Sequence, residues 1–275
     1  MLHSPLRWVG GKSRLRAHII PLFPDHDTYC EPFGGGGWVL LGKKPAATEI
    51  YNDLDADLVA FFRVVQRDPQ ALIDSFQWTL VSREEFTRLA ALDPATLSDV
   101  DRAHRLYYLL MAGWGGELKY PRFQTAVQDA GHGNRLIGAL RTLDQRLRPV
   151  HARLRTVTIE HGSWERVIDL YDSPGTFFYI DPPYPDNGVN YAHNMPDLAD
   201  HRRLAARLAR AQGQWMISSY DRPELRALYG GLHVESIQSA SGMATGDKTG
   251  RVTNREMVVC NFIPPCRAAQ PSLFA

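Results

Sequence analysis

The chain has few cysteines, few lysines and little net charge, and it has no long apolar run. Each shortage excludes something. Cys30, Cys260 and Cys266 are the whole cysteine inventory. An odd set of three with no paired spacing makes neither a disulfide framework nor a zinc-type cluster. Reduced thiols are expected, with Cys30 and Cys260 inside strands. A formal charge of +1 does not mark a nucleic-acid binder, although a local basic face can coexist with a neutral total. Only Lys12, Lys43, Lys44, Lys119 and Lys248 are lysines among the 31 basic residues, so arginine dominates. Its fork suits phosphate and guanine. No apolar run spans a bilayer, and the N-terminus lacks a signal-peptide pattern. Both absences point to a cytoplasmic protein without a membrane partner.

What is present is alternation. "TYCEP" and "ATEIYND" pattern as strands, and "DADLVAFFRVVQ" carries apolar residues at helical spacing. Strand signals then vanish between Asp68 and Pro149, where "REEFTRLAAL", "DRAHRLYYLLMAGW" and "NRLIGALRTLDQRL" are helical. They return at "LRTVTIE", "GTFFYID", "QWMISSY", "LHVESIQ" and "REMVVCNF", with the amphipathic helix "LADHRRLAARLARAQ" between. The class is α/β, a mainly parallel sheet covered by helices and interrupted by a helical block. The expected division is 1–67, 68–150, 151–264 and a loosely held tail, 265–275.

"WVGGKSRL", from Trp8 to Leu15, has the look of a phosphate loop. That pattern needs a glycine at position 6, where this chain has Leu6, and a preceding strand that "MLHSPLR" does not provide. A tight turn opening a helix over Ser13 to Ile20 is the plainer expectation.

The sharpest chemical signal is "FFYIDPPYP". A buried strand ends in Asp181, and Pro182 and Pro183 fix the backbone and remove two donors. A carboxylate, a rigid carbonyl at Pro182 and the ring of Tyr184 suit a planar group with an amino substituent, such as a nucleobase. A proline-braced strand end is the alternative. "YCEPFGGGGWVLL" carries a strand into four glycines and a helix, which lets a ligand approach the backbone. "EIYNDLDADL" ends a strand in Asp53, suited to ribose hydroxyls, whereas Asp55 patterns as a helix N-cap.

"PLRWVGGKSRL", "EPFGGGGWVLL", "YNDLDADL" and "IDPPY", in this order, resemble the Dam-like, alpha-group DNA adenine-N6 methyltransferases, and "NREMVVCNF" is similar to that family's last strand. The resemblance implies a Rossmann-like S-adenosylmethionine-dependent methyltransferase sheet with an inserted helical DNA-recognition domain at 68–150. It implies S-adenosylmethionine as cofactor, double-stranded DNA as partner, no metal, a monomer or homodimer, and a nucleoid-associated place in the cytoplasm. Trp8, Gly11, Lys12, Glu31, Phe33, Gly34, Gly35, Gly36, Asp53 and Asp181 would then surround the cofactor, with Lys12 near its carboxylate. Asp181, Pro182, Pro183 and Tyr184 would form the catalytic string.

Two places depart from the family. Where it often has an aspartate and an aromatic residue after the third strand, this chain has Ser163 and Trp164. The helical block does not resemble Dam's own DNA-reading region, so no target sequence carries over. Candidate DNA contacts are Trp114, Lys119, Tyr120, Arg122 and Arg135 in that block, with core packing the alternative for its aromatic members and a solvated helix face the alternative for its arginines. Tyr191 and His193 after the catalytic strand are further candidates, as are Lys248, Arg251 and Arg255 in a Gly-rich hairpin. Cytosine-N4 methylation and a non-catalytic DNA-binding relative are the competing functions.

Overall fold

The computed structural model describes residues 1–114, 118, 121–124, 134–185, 193–240 and 253–268. Lys119, Tyr120, Tyr191, Lys248 and Arg251 lie outside them.

The chain opens with α1 (Arg16–Ile19), β1 (Thr28–Glu31), α2 (Trp38–Gly42), β2 (Thr48–Asp53) and α3 (Ala56–Arg67). A helical stretch follows: α4 (Pro69–Ser75), α5 (Arg83–Ala91), α6 (Asp99–Ala112), α7 (Arg135–Arg141) and α8 (Leu143–Leu154). Alternation resumes with β3 (Val157–His161), α9 (Trp164–Tyr171), β4 (Thr176–Ile180), α10 (Leu198–Leu208), β5 (Gln214–Tyr220) and α11 (Pro223–Arg226). β6 (His233–Ala240), β7 (Thr253–Cys260) and α12 (Pro265–Ala268) complete the described elements.

Helix starts follow the capping rules of the sequence. Asp55 accepts the amides of Asp57 and Leu58 at the start of α3, and Ser82, Ser98 and Ser163 cap α5, α6 and α9. The first helix is shorter than its pattern suggests. Leu15 stands at its N-cap with no side-chain bond, Ser13 lies outside it, and Pro21 turns its end into a 3₁₀ segment.

Among the described residues the strands form one sheet in the order β3-β2-β1-β4-β5-β7-β6. β1 to β5 run parallel, and β7 is antiparallel to both its neighbours. β4 explains the period-free apolar run of its sequence. Phe177 and Tyr179 enter the core on one face, Phe178 and Ile180 on the other. Both faces of a central parallel strand are buried, so alternation disappears. Cys30 and Cys260 are buried in β1 and β7 and unpaired, whereas Cys266 is exposed.

One core joins the sheet to α3 and the helical stretch. Tyr51 and Phe177 of the sheet share it with Phe61 of α3, Leu72, Phe86, Tyr107 and Leu147. The other core lies under α9, α10 and α11, through Val167, Ile168, Leu204, Leu208 and Leu225. The result is three layers, with helices on both faces of the sheet. None of the described helices is long and apolar enough to cross a membrane.

Candidate active site

The strand order reverses beside β1, since β2 lies on one side of it and β4 on the other. Neighbouring crossovers leave in opposite directions there and open a crevice at the carboxyl ends of the strands. Glu31 ends β1 and Asp53 ends β2, and Asp181 follows β4 directly. A cleft of about 840 Å³ lies along this edge. Trp8, Gly11, Lys12, Glu31, Phe33, Gly34, Gly35, Gly36, Asp53, Asp181, Pro182, Pro183 and Tyr184 all line it. Four stretches far apart in sequence therefore meet in one space.

Close packing explains the glycines. A Cβ on Gly34 would stand 2.2 Å from the Tyr51 ring, and one on Gly11 would stand 2.7 Å from the Trp38 ring. Neither position accepts a side chain. The turn is pinned further by Gly34 N–H donating to the Asn52 carbonyl at 2.7 Å, and by the Tyr51 hydroxyl donating to the Gly35 carbonyl at 2.7 Å. Asn52 is fully buried. Its amide donates to the carbonyls of Pro32 and Gly162, tying the loop after β1 to the loop after β3.

Asp53 accepts from Gly35 N–H at 2.7 Å and from Asp55 N–H at 2.8 Å, one bond on each oxygen. A carboxylate has further lone pairs for a ligand. Burial pushes its pKa up to about 6, against the pull of those amides. Glu31 accepts the Tyr29 hydroxyl at 2.5 Å and is pushed up to about 8, again by burial, so it is largely protonated at neutral pH.

Asp181 is held from one side. Its Oδ1 receives Lys12 Nζ at 2.7 Å, Ser218 Oγ at 2.7 Å and the Tyr184 hydroxyl at 3.2 Å. No described residue donates to Oδ2. The Tyr184 hydroxyl also reaches Glu256 Oε2 at 3.1 Å, and Tyr220 packs edge-on against the Tyr184 ring. Lys12 Nζ lies 4.9 Å from the centre of that ring and 3.9 Å from Glu256.

Ser218, Glu256 and Trp38 are site residues that sequence reasoning missed. Ser218 sits inside β5, and Glu256 near the start of β7, where a charged residue patterns as a solvated strand edge. The antiparallel course of β7 brings Glu256 opposite Tyr220 at the carboxyl end of β5. The similarity of "NREMVVCNF" to a known last strand was the one signal pointing there.

Ser163 caps α9, accepting from Arg166 N–H. Trp164 is stacked at 28° to Phe33 with ring centroids 6.4 Å apart, and the Arg203 guanidinium lies 5.9 Å from the Trp164 ring centre. Arg203 also pairs with Glu165. His193 is exposed and lines the cleft. Trp114 is 59% exposed, so it is not a core residue. Arg122, Arg135 and Arg255 are exposed but do not line the cleft.

A parallel sheet whose last strand β7 inserts antiparallel beside β5, with a glycine turn after β1 and an acid closing β2, defines a Rossmann-like methyltransferase. The model of the D12 class N6 adenine-specific DNA methyltransferase matches residues 8–243, and the chain belongs to that family. It is similar to the type II methyltransferase M1.LlaDCHI of Lactococcus lactis subsp. cremoris, with 24% identity over 93% of this chain and 94% of that protein. It is also similar to the DNA adenine methylase of Haemophilus influenzae, with 24% identity over 93% of each. A solved rRNA methyltransferase, aviRa from Streptomyces viridochromogenes, overlays at a TM-score of 0.37 with 14% identity, covering 90% of this chain and 83% of its own. A likeness that low carries no argument. The chain is a site-specific, adenine-specific DNA methyltransferase.

Proposed function

We propose that the chain methylates N6 of an adenine swung out of double-stranded DNA, with S-adenosylmethionine as donor and with Asp181 and the Pro182 carbonyl receiving the amine. The observation that carries this is the one-sided hold on Asp181. Its Oδ1 takes Lys12 and Ser218 and lies within reach of the Tyr184 hydroxyl, while no described residue donates to Oδ2, on the wall of a cleft it shares with Gly34 and Asp53.

The cleft fits the cofactor. Its volume of about 840 Å³ lies at the upper end of ligand pockets, enough for a nucleoside-bearing cofactor and a base together. Asp53 retains lone pairs for ribose hydroxyls, and Phe33 and Trp164 offer apolar faces to a purine. Trp8, Gly11, Lys12, Glu31, Gly34, Gly35 and Gly36 complete the surround on the methionine side. When bound, S-adenosylmethionine would supply a sulfonium methyl group: N6 would gain the bond to carbon, the carbon–sulfur bond would break with its electron pair going to sulfur, and the proton lost from N6 would pass by way of Asp181 to water.

The residues of the chain prepare N6 for that step. The adenine amine is a weak nucleophile because its lone pair is delocalised into the ring. Asp181 Oδ2 accepts one amine hydrogen and the Pro182 carbonyl the other, which favours a pyramidal nitrogen. Pro182 and Pro183 keep that carbonyl rigid. Ser218 and Tyr184 fix the carboxylate, so positioning supplies much of the rate. The pocket cannot reach N6 inside a stacked pair, so the base must leave the helix. Tyr184 then stacks on it, at a gain of roughly 1–3 kcal/mol. Exposed Trp114, Arg122, Arg135 and Arg255, with His193 at the cleft, are the described candidates for holding the duplex.

Asp181→Ala tests the assignment. Single-turnover methylation of an adenine-containing duplex is expected to fall by at least ~10²–10³-fold, the scale of losing one transition-state contact. A normal rate would overturn the role of Asp181. Long-read sequencing of DNA treated with the protein and cofactor is expected to show N6-methyladenine within one motif. N4-methylcytosine there would reassign the base.

A further inference from the structure

The catalytic carboxylate is already engaged before any substrate arrives. Lys12 Nζ lies 2.7 Å from Asp181 Oδ1 and 4.9 Å from the centre of the Tyr184 ring. A nitrogen that donates to Asp181 from above Tyr184 is what the target adenine amine must become. The ammonium on Oδ1 therefore neutralises the carboxylate whose Oδ2 that amine must use. A carboxylate paired with an ammonium is a poorer acceptor for the hydrogens of a neutral aryl amine, because the cation withdraws its negative charge. Lys12 must leave Asp181 for the base to be engaged fully.

It cannot leave for water. Lys12 is 6% exposed, and an ammonium at that depth needs a counter-charge. Among the described residues the other carboxylate paired with Nζ is Glu256, at 3.9 Å. The Gly10 carbonyl accepts from Nζ at 3.1 Å and can serve as a pivot. The Tyr184 hydroxyl spans the same two acids, 3.2 Å from Asp181 Oδ1 and 3.1 Å from Glu256 Oε2. It has one proton and can donate to one of them at a time.

We propose that Glu256 is a positioning residue that receives the Lys12 ammonium from Asp181 Oδ1 as the target amine engages Oδ2 of the same carboxylate. In exchange, the Tyr184 proton turns toward Asp181, so each acid keeps a donor throughout. Placement follows from topology. The antiparallel β7 is the strand whose beginning, not its end, meets the carboxyl edge, and it sets Glu256 beside the parallel half of the site. The inference rests on the proposed role of Asp181 as amine acceptor.

A double-mutant cycle on the full chain tests it, using Glu256→Gln, Lys12→Met and the pair together. Glu256→Gln keeps an acceptor for Tyr184 and removes the charge for Lys12. Single-turnover methylation at saturating DNA and cofactor is expected to fall at least tenfold, while the dissociation constant of S-adenosylhomocysteine changes less than twofold. The pair is expected to match Lys12→Met alone, since Glu256 acts through Lys12. A wild-type rate in Glu256→Gln would mean that Lys12 finds its counter-charge elsewhere, the cofactor carboxylate included, and would overturn the proposal. So would losses that multiply in the pair, as a purely structural glutamate gives. If Glu256→Gln melts early, Glu256→Asp, which keeps the charge, enters the same cycle and must recover at least half the lost rate. Asp181→Ala separates the two layers: normal methylation there sinks the acceptor role itself, whereas an inactive Asp181→Ala beside a normal Glu256→Gln sinks the handover alone.

Discussion

Two lysine–carboxylate pairs in this chain are built alike. Lys43 meets Glu49 at 2.5 Å with its ammonium 4.1 Å from the Tyr29 ring centre. Lys12 meets Asp181 at 2.7 Å with its ammonium 4.9 Å from the Tyr184 ring centre. They differ in what is left over. Arg153 reaches both oxygens of Glu49, at 2.5 and 2.7 Å, so that carboxylate is enclosed by cations and 1% exposed. Asp181 keeps Oδ2 without a described donor on the wall of a cleft. The first pair, joined by Arg153, ties α8 and the end of α2 to the sheet, and the second is a site. Whether such a pair acts as a staple or as chemistry depends on the unfilled oxygen, not on residue type.

Removing each acid separates the two most widely. Glu49→Ala leaves Lys43 and Arg153 buried without a counter-charge, at an expected cost of roughly 3–5 kcal/mol in denaturant unfolding. Asp181→Ala is expected to cost much less stability, because Glu256 remains within reach of Lys12, while it removes most activity. Equal stability losses would erase the distinction.

Protonation sharpens the contrast. Burial pushes the pKa of Glu49 up, but hydrogen bonds from Arg153 and Lys43 outweigh it, and the carboxyl titrates below its ordinary value. Glu31 is as buried, and burial outweighs the Tyr29 hydroxyl, the Leu40 amide and the more distant Lys43, so it rises from 4.5 to about 8. Between those values the unfolded chain has lost a proton that the folded chain keeps, so stability falls as pH rises. The full contribution is present below about 4.5 and lost through about 8, on the order of a few kcal/mol. Glu31→Gln is expected to flatten the melting temperature across that window, most visibly above about 6, where Asp53 has already titrated. An unchanged slope in the variant would place the titration elsewhere.

The smallest expected effect concerns the ring beneath Lys12. Tyr184→Phe keeps the stacking face and loses the hydroxyl that spans Asp181 and Glu256, a change of about 0.5–1.5 kcal/mol in target-base binding. Tyr184→Ala should lose roughly 1–3 kcal/mol, the worth of a stacked base. Fluorescence of 2-aminopurine at the target position reads both. Equal losses would mean that the ring face contributes nothing.

Much of the site was legible because it is local chemistry. "IDPPY" joins an acid, a rigid carbonyl and a ring within a few residues. The acid at the end of β2 and the glycines after β1 mark strand ends, where open sheets bind ligands. What escaped notice arrives sideways. Ser218 and Glu256 lie within ordinary strand patterns, and only the neighbouring strands β5 and β7 bring them to Asp181. Trp38 resembles the first apolar residue of a helix until its ring covers Gly11.

The sequence by itself determined the alternation of elements, the helix caps, the chemistry carried by each strand end and the family to which the chain belongs. These depend on residues that act within a turn or two of where they stand. The tertiary structure alone decided which acids carry cations, which remain protonated, and that Lys12 rests on Asp181. Those outcomes depend on burial and on partners tens or hundreds of residues away. Electrostatic energies follow distance and exposure in space, and neither can be read along the chain.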